Sequence, residues 1–174
     1  MQPTTRQATV EDIDELINIG LKTYRETFAS FYPQSVMNQY LNEAFSVDKL
    51  KNELQHDQSQ FWLLEIEGTC AGYLKVNWGN AQTEMQDESG LEVERIYLAL
   101  EYKGKGFGKL LFEKAREIAK TLNRSYMWLG VWENNQQAIA FYKSQGFVVA
   151  GTHNFQMGDI CDTDYIMTLA LADG

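Results

Sequence analysis

The strongest constraint on the fold is a strand–helix–strand segment in the second half of the chain. Leu91–Leu98 is predicted as a β-strand by its strict alternation at Leu91, Val93, Arg95 and Tyr97, and Tyr126–Trp132 is a strand of apolar and aromatic residues. Between them, apolar residues recur at helical spacing over about four turns. These helical positions are Leu110, Leu111, Ala115, Ile118 and Ala119. This order predicts a right-handed crossover that joins two parallel strands.

The flanking segments predict that the crossover belongs to a larger mixed sheet. The strands Phe61–Ile66 and Cys70–Trp78 are joined by a Glu67–Gly68 turn and precede the crossover as a meander. Other predicted strands are Thr4–Ala8, Phe147–Ala150 and Tyr165–Leu171. A predicted helix begins after Thr9, with Asp12 in the capping-box position, and a second begins near Pro33. The Ser46 side chain can cap a third helix over Val47–Gln55, and Gln136–Ser144 is a short helix that ends before Gly146. We therefore predict an α/β or mixed α+β fold, in one domain spanning residues 1–174.

The composition of the chain limits the kinds of molecule that it is expected to bind. The chain has 15 Lys and Arg against 24 Asp and Glu, a formal net charge of −9. This balance argues against general nucleic-acid binding, which needs cations to neutralise phosphates, and it suits a cationic partner. The two cysteines and two histidines lack metal-site spacing, so we expect no metal. Without a signal peptide or an apolar run of roughly 18 residues, the chain is expected to be cytoplasmic, with no membrane partner.

The most informative motif is a glycine cluster between the strand and the helix of the crossover. It reads Lys103-Gly104-Lys105-Gly106-Phe107-Gly108-Lys109. Glycines at a helix N-terminus let backbone N–H groups approach an anion, and the helix dipole favours phosphate. Rossmann and Walker A spacings both fail here. The alternative is a glycine-rich turn with solvated lysines.

The cluster resembles the [Q/R]-x-x-G-x-[G/A] pyrophosphate loop of the GNAT N-acetyltransferase family. A second block, from Asn135 through Ala138 and Phe141-Tyr142 to Gly146-Phe147, is similar to the family's N-x-x-A-x-x-F-Y-x-x-x-G-F signature. The resemblance implies an acetyl-CoA-dependent acyltransferase with a mostly antiparallel sheet of about six to seven strands, one parallel pair and flanking helices. One position departs from the family pattern, because Lys103 replaces the usual Gln or Arg.

Further segments resemble PaiA-type spermidine/spermine N-acetyltransferases over nearly the whole chain. These segments are Thr27-Phe28, Tyr40-Leu41, Leu91–Tyr97, Trp128–Glu133 and Met157–Asp159. The resemblance implies a small amine substrate, a polyamine such as spermidine or spermine. It also implies direct transfer in a ternary complex, because neither Cys70 nor Cys161 matches a family nucleophile position.

The family resemblance also implies roles for individual residues. The backbone of Ile96, Tyr97 and Leu98 is expected to bind the pantetheine arm and polarise the thioester carbonyl, and Lys103–Lys109 is expected to hold the pyrophosphate. Asn135 is expected to bind the arm, although it also suits a helix N-cap. Tyr142 is expected to protonate the leaving thiolate, although an aromatic at this spacing also suits a core.

Two carboxylates on the central strand are candidates for binding or deprotonating the amine. Alternation places Glu92 and Glu94 on one face of the strand, opposite Val93 and Arg95. Either carboxylate suits a general base or a group that attracts a polycation, and either suits a solvated or Arg95-paired side chain. His153 is a further candidate base, or a structural histidine.

An aromatic stretch precedes the sheet and is a candidate for substrate choice. Tyr24, Phe28, Phe31 and Tyr32 suit contact with an alkylammonium chain, and they equally suit core packing.

Two other functions stay open at this stage. One is the same transfer to another small amine or to a protein N-terminus. The other is a non-catalytic acetyl-CoA-binding regulatory module. The sequence is compatible with a monomer or a homodimer.

Overall fold

The chain forms one seven-stranded sheet with helices on both faces. The computed structural model describes residues 2–84, 87–157 and 159–171. The helices are α1 (Ile13–Phe28), α2 (Gln34–Ala44), α3 (Val47–Gln55), α4 (Phe107–Thr121) and α5 (Gln136–Ser144). The strands are β1 (Pro3–Gln7), β2 (Ser59–Ile66), β3 (Thr69–Asn77), β4 (Gly90–Leu98), β5 (Tyr126–Trp132), β6 (Val148–Met157) and β7 (Ile160–Ala170). Within these residues, no helix is both long and apolar enough to span a bilayer.

The sheet has the order β1-β2-β3-β4-β5-β7-β6. Every neighbouring pair is antiparallel except β4 and β5, which are parallel and joined through α4. The predicted crossover and the single parallel pair are therefore confirmed, as is the mixed α/β class.

Local sequence signals account for most element boundaries. Thr9 and Asp12 form the predicted capping box, and one 3-10 turn then leads into α1. The Ser46 hydroxyl accepts the backbone N–H of Lys49 at 3.3 Å and starts α3 as predicted. Gly146 adopts a φ of 102° just after α5, a conformation that glycine reaches without strain.

The closing hairpin is longer than the sequence predicted. β6 and β7 extend well beyond Phe147–Ala150 and Tyr165–Leu171. The added residues are largely polar, and hydrophobic periodicity does not detect them. β6 is an edge strand, where polar side chains can face water while the backbone pairs with β7. The Met157–Asp159 motif includes Gly158, which lies outside the described residues.

Apolar side chains cover both faces of the sheet. On one face, Leu91 and Val93 of β4 pack with Leu111, Phe112 and other residues of α4. On the opposite face, residues of α1–α3 pack against Phe61, Leu63 and Tyr73 of the sheet. The sheet is therefore covered on both faces, and β4 carries side chains into both cores.

A β-bulge at Glu94 changes which side chains of β4 share a face. Lys75 pairs with Arg95 and the next residue, Val76, pairs with Val93, so Glu94 is an extra residue in β4. The prediction that Arg95 lies opposite Glu92 and Glu94 is therefore wrong. One inserted residue shifts the alternation and brings Arg95 to the carboxylate face.

The parallel pairing between β4 and β5 is short. It covers only Gly90–Glu92 and Tyr126–Trp128. Beyond Glu92 the paired ladder ends, although both strands continue. The divergence opens a gap in the middle of the sheet, directly after the bulge.

Candidate active site

A cleft of about 1090 Å³ lies where β4 and β5 diverge. Its walls come from β4, the start of α4, β5, α5 and the α1–α2 region. Most of the sequence-predicted cofactor residues line it. These are Ile96, Tyr97, Leu98, Lys103, Gly104, Gly106, Phe107, Gly108, Lys109, Asn135 and Tyr142. The exception is Lys105, which is exposed and does not line the cleft.

The glycine loop forms an open cradle at the N-terminus of α4. Gly104 has a φ of 76° and Gly106, the N-cap residue, a φ of 84°. Both values lie in the left-handed region that glycine tolerates best. A Cβ at either position would meet nothing within 4 Å, so the backbone angle alone requires glycine here. Among the residues that the structure describes, no side chain caps this helix, so its first N–H groups are available to an anion.

We expect Gly106→Ala to lower the free energy of unfolding by about 1–2 kcal/mol, because alanine strains the left-handed backbone. CoA affinity should fall as well, since relief of that strain moves the N–H groups. The measurements are urea unfolding and calorimetric titration with CoA.

Gly151→Ala is the matched control. A Cβ at Gly151 also meets nothing within 4 Å, but its φ is not in the left-handed region. Unchanged CoA affinity and stability in Gly106→Ala would contradict the role of the left-handed turn.

Tyr142 presents a buried phenol to the cleft. Its ring packs near Phe112 and Phe147, and the residue is only 9% exposed. Burial raises the pKa of the Tyr142 hydroxyl above its usual value, so the phenol stays protonated at neutral pH. The hydroxyl makes no hydrogen bond within the described part of the chain and is available as a donor.

Asn135 starts α5. Its side-chain oxygen accepts the backbone N–H of Ala138 at 3.3 Å, which confirms the N-cap interpretation. The amide nitrogen is not needed for this cap. Because Asn135 also lines the cleft, its second predicted role is geometrically compatible with the first.

Glu92 lies at the point where β4 leaves β5, and it is only 3% exposed. Its carboxylate accepts hydrogen bonds from Asn77 Nδ2 at 2.9 Å and from the backbone N–H and hydroxyl of Thr83, at 2.8 and 2.5 Å. Burial raises the pKa of Glu92. The alternative of a solvated or Arg95-paired Glu92 is therefore wrong.

Glu94 belongs to a buried ion-pair cluster. Lys75 Nζ lies 2.7 Å from Glu94 and 2.5 Å from Glu53, and an Arg95 nitrogen lies 3.4 Å from Glu94. Burial acts to raise the pKa of Glu94, but the charges of Arg95 and Lys75 outweigh it and lower the pKa to about 2. A carboxylate held this firmly in its ionised form is a poor proton acceptor near neutral pH.

Sequence reasoning did not single out Lys75, Asn77 or Thr83. The first two carried a signal, since they are polar residues at alternate positions of an otherwise apolar strand. Because β3 pairs with β4, the side chains of Lys75 and Asn77 lie on the same face of the sheet as the carboxylates of β4. Thr83 lies in a loop and carried no such signal.

The aromatic stretch both packs in the core and lines the cleft. Tyr24 and Tyr32 are buried, Phe28 is half-buried, and Phe31 is 56% exposed. Phe31 meets the ring of Trp132 edge-on, with centroids 4.8 Å apart. The Tyr32 hydroxyl donates to Asp162 at 2.5 Å and ties this region to β7. The aromatic residues therefore form the part of the cleft wall that α1 and the segment after it contribute.

His153 also lines the cleft, on its acceptor side with Asp164. Nε2 of the imidazole lies 3.6 Å from Asp164. Burial raises the pKa of the Asp164 carboxyl, while the neighbouring His153 acts to lower it. Within the residues that the structure describes, no cluster of three or more His, Cys, Asp and Glu side chains is arranged to hold a metal ion.

Comparisons with known proteins agree with this geometry. The profile of the acetyltransferase (GNAT) family matches residues 21–147. An uncharacterized N-acetyltransferase of the pepI 3′ region in Lactobacillus delbrueckii subsp. lactis is 39% identical over 165 residues, covering 95% of each chain. A spermidine N(1)-acetyltransferase of Thermoplasma acidophilum is 27% identical over 151 residues, covering 84% of this chain and 89% of that protein.

A solved structure has the same fold. The PaiA N-acetyltransferase of Thermoplasma acidophilum, crystallised with coenzyme A, superposes with a TM-score of 0.82 at 24% identity, covering 98% of this chain and all of that one. The profile match and the 39% identical relative together establish more than a shared fold. This chain belongs to the GNAT family of acetyl-CoA-dependent N-acetyltransferases.

Proposed function

We propose that this protein acetylates a polyamine, such as spermidine or spermine, by direct transfer from acetyl-CoA in a ternary complex. The observation that carries the proposal is the distribution of charge along the single cleft. Lys103, Lys109 and the N-terminus of α4 line the cleft after β4 ends, whereas the carboxylates Glu92 and Glu94 line it from the earlier part of β4. Aromatic rings of the α1–α2 region line it as well. The Thermoplasma relative named as a spermidine N(1)-acetyltransferase supports the same substrate class.

The acceptor end of the cleft carries an excess of negative charge. Its buried cations are already paired, because Lys75 and Arg95 contact Glu53 and Glu94. Glu92 and Asp164 also line this end, and neither contacts a lysine or an arginine within the described residues. Aromatic faces beside unpaired carboxylates favour an extended alkylammonium chain.

The other end of the cleft fits acetyl-CoA. The loop Lys103–Lys109 would hold the pyrophosphate, with a point charge at Lys103 in place of a planar donor. The backbone of Ile96, Tyr97 and Leu98, left without a β5 partner by the divergence, would pair with the pantetheine arm as an added strand does. Asn135 would contact the arm from α5. The bound co-substrate supplies the activated acetyl group.

The chain's own residues then provide positioning and proton donation. A backbone N–H of the Ile96–Leu98 segment polarises the acetyl carbonyl, and the Tyr142 hydroxyl protonates the departing sulfur. Glu92 keeps the acceptor region acidic and attracts the ammonium group, whereas Glu94 is neutralised by Lys75 and Arg95. Neither Cys70 nor Cys161 lines the cleft, which is in keeping with direct transfer rather than an acyl-cysteine.

We expect kcat/KM for spermidine to exceed that for butylamine by about tenfold or more, because each charge-assisted hydrogen bond contributes about 1.5–3 kcal/mol. The difference should shrink at high ionic strength, which screens the carboxylates that remain exposed to solvent. Thiol release from acetyl-CoA is the readout, with butylamine as the control because it matches the aminobutyl arm of spermidine but lacks the other two amines. Equal kcat/KM for the two amines would contradict polyamine specificity. Tight CoA binding without turnover on any amine would identify a regulatory module instead.

A further inference from the structure

His153 reaches from the edge hairpin to the wall of the cleft. In the β6–β7–β5 ladder, His153 lies opposite Asp164, which lies opposite Trp132. A Cβ on Gly130 of β5 would come within 3.3 Å of the imidazole Cε1. The imidazole therefore extends across β7 and lies directly over Gly130. The glycine leaves room for the imidazole beside the point where β5 leaves β4.

Two carboxylates hold the imidazole from opposite sides. Asp164 lies 3.6 Å from Nε2, and a Glu84 oxygen lies 3.4 Å from Nδ1. Nδ1 is buried and makes no hydrogen bond within the described residues. Glu84 follows Thr83, whose N–H and hydroxyl bind Glu92. The imidazole and Glu92 are thus connected through two consecutive residues, because Glu84 faces the imidazole and Thr83 binds Glu92.

The carboxylates of β4 are less suited to accept a proton. Glu94 is neutralised by Lys75 and Arg95. Glu92 already accepts three hydrogen bonds, from Asn77 and Thr83, which occupy both of its oxygens. His153 lines the cleft, and neither of its ring nitrogens makes a hydrogen bond within the described residues. Because Nδ1 is buried, Nε2 is the nitrogen that is left to accept a proton.

We propose that His153 accepts the proton that the acceptor ammonium must lose before acetyl transfer, an inference that rests on the proposed function. The ammonium proton moves to an imidazole nitrogen, and the lone pair left on the amine forms the bond to the acetyl carbon. The carbon–sulfur bond breaks with its electron pair on sulfur, which takes the Tyr142 proton. The second amine proton restores Tyr142 through solvent, and His153 releases its proton to solvent.

Charged groups surround the imidazole on several elements. Asp164 faces it from β7, Glu84 from the segment before β4, and Glu92 lies beyond Thr83. Asp164 itself lies near further negative charges, which act to raise its pKa. These are Asp162, Glu84 and Glu133.

The test compares acceptors that differ in basicity. With spermidine, His153→Gln should lower kcat/KM by about 100-fold, the usual contribution of a general base. With a spermidine analogue fluorinated beside both primary amines, and therefore mostly neutral at the assay pH, the loss should stay below about threefold. His56→Gln is the control, since His56 is the chain's other histidine and does not line the cleft. An equal loss on both acceptors, or no loss, would overturn the proposal.

A chemical rescue provides a second readout that a purely structural role would not produce. Added imidazole should restore at least about a tenth of the activity lost in His153→Ala, by replacing the missing base. No rescue in a variant with wild-type circular dichroism and CoA binding would count against His153. If the wild-type protein acetylates neither amine, the proposed function fails first, and this inference fails with it.

Discussion

Tyr142→Phe is expected to lower kcat by about 100- to 1000-fold, the usual loss when a general acid is removed. Burial keeps the Tyr142 hydroxyl protonated, and the substitution removes only that oxygen. The ring contacts with Phe112 and Phe147 remain, so CoA affinity should stay within about twofold of wild type. Steady-state kinetics and calorimetric CoA titration measure the two effects separately.

Tyr126→Phe makes the same chemical change away from the cleft. Tyr126 is the first residue of β5, and its hydroxyl donates to Asp87. Tyr126 does not line the cleft. We expect wild-type kcat in this variant. If Tyr142→Phe retained wild-type turnover, the sulfur would receive its proton from another source, and Tyr142 would be a packing residue only.

The second large effect concerns stability. We expect Lys75→Met to lower the free energy of unfolding by about 3 kcal/mol, because it leaves two buried carboxylates without their shared cation. Lys75 is 5% exposed and contacts both Glu53 and Glu94. Lys22→Met is the matched control, since Lys22 pairs with Glu101 on the surface, where the loss should be below about 1 kcal/mol. Urea unfolding provides both values.

The pH dependence of stability gives an independent check on this cluster. The pKa of Glu94 is lowered from 4.5 to about 2 in the folded chain. Folding therefore favours the ionised carboxylate, so its stabilisation is complete above about pH 4.5 and is lost as the pH falls toward 2. In Lys75→Met this loss should be smaller, because part of the cause of the shift is gone. Identical acid-unfolding curves for wild type and variant would contradict the ion-pair account.

Much of the fold was accessible from local sequence patterns. Strand β5, helices α3 and α5, and the caps at Thr9 and Ser46 were located correctly, because each depends on residues close together in the chain. The bulge at Glu94 was not, since an extra residue in one strand leaves no mark on periodicity until its partner strand is known. Its consequence, Arg95 on the carboxylate face, followed only from the pairing with Lys75.

Some residues of the candidate site could likewise be predicted from local sequence patterns, and others could not. The glycine loop and Tyr142 belong to contiguous motifs, and the structure places both in one cleft. The partners of Glu92 and Glu94 come mainly from β3 and the loop before β4, and Lys75 of β3 in turn contacts Glu53 of α3, so no local pattern joins them. His153 lies close over Gly130, which is distant in sequence, so no local pattern places the imidazole at the cleft.

The short parallel ladder divides the sheet into a four-stranded and a three-stranded half, joined by three residue pairs. We expect acetyl-CoA, which by the proposal inserts its amides into this gap, to bridge the two halves, so that its binding stabilises the folded chain as its concentration rises above Kd. The melting temperature of the protein should therefore rise with the concentration of its co-substrate.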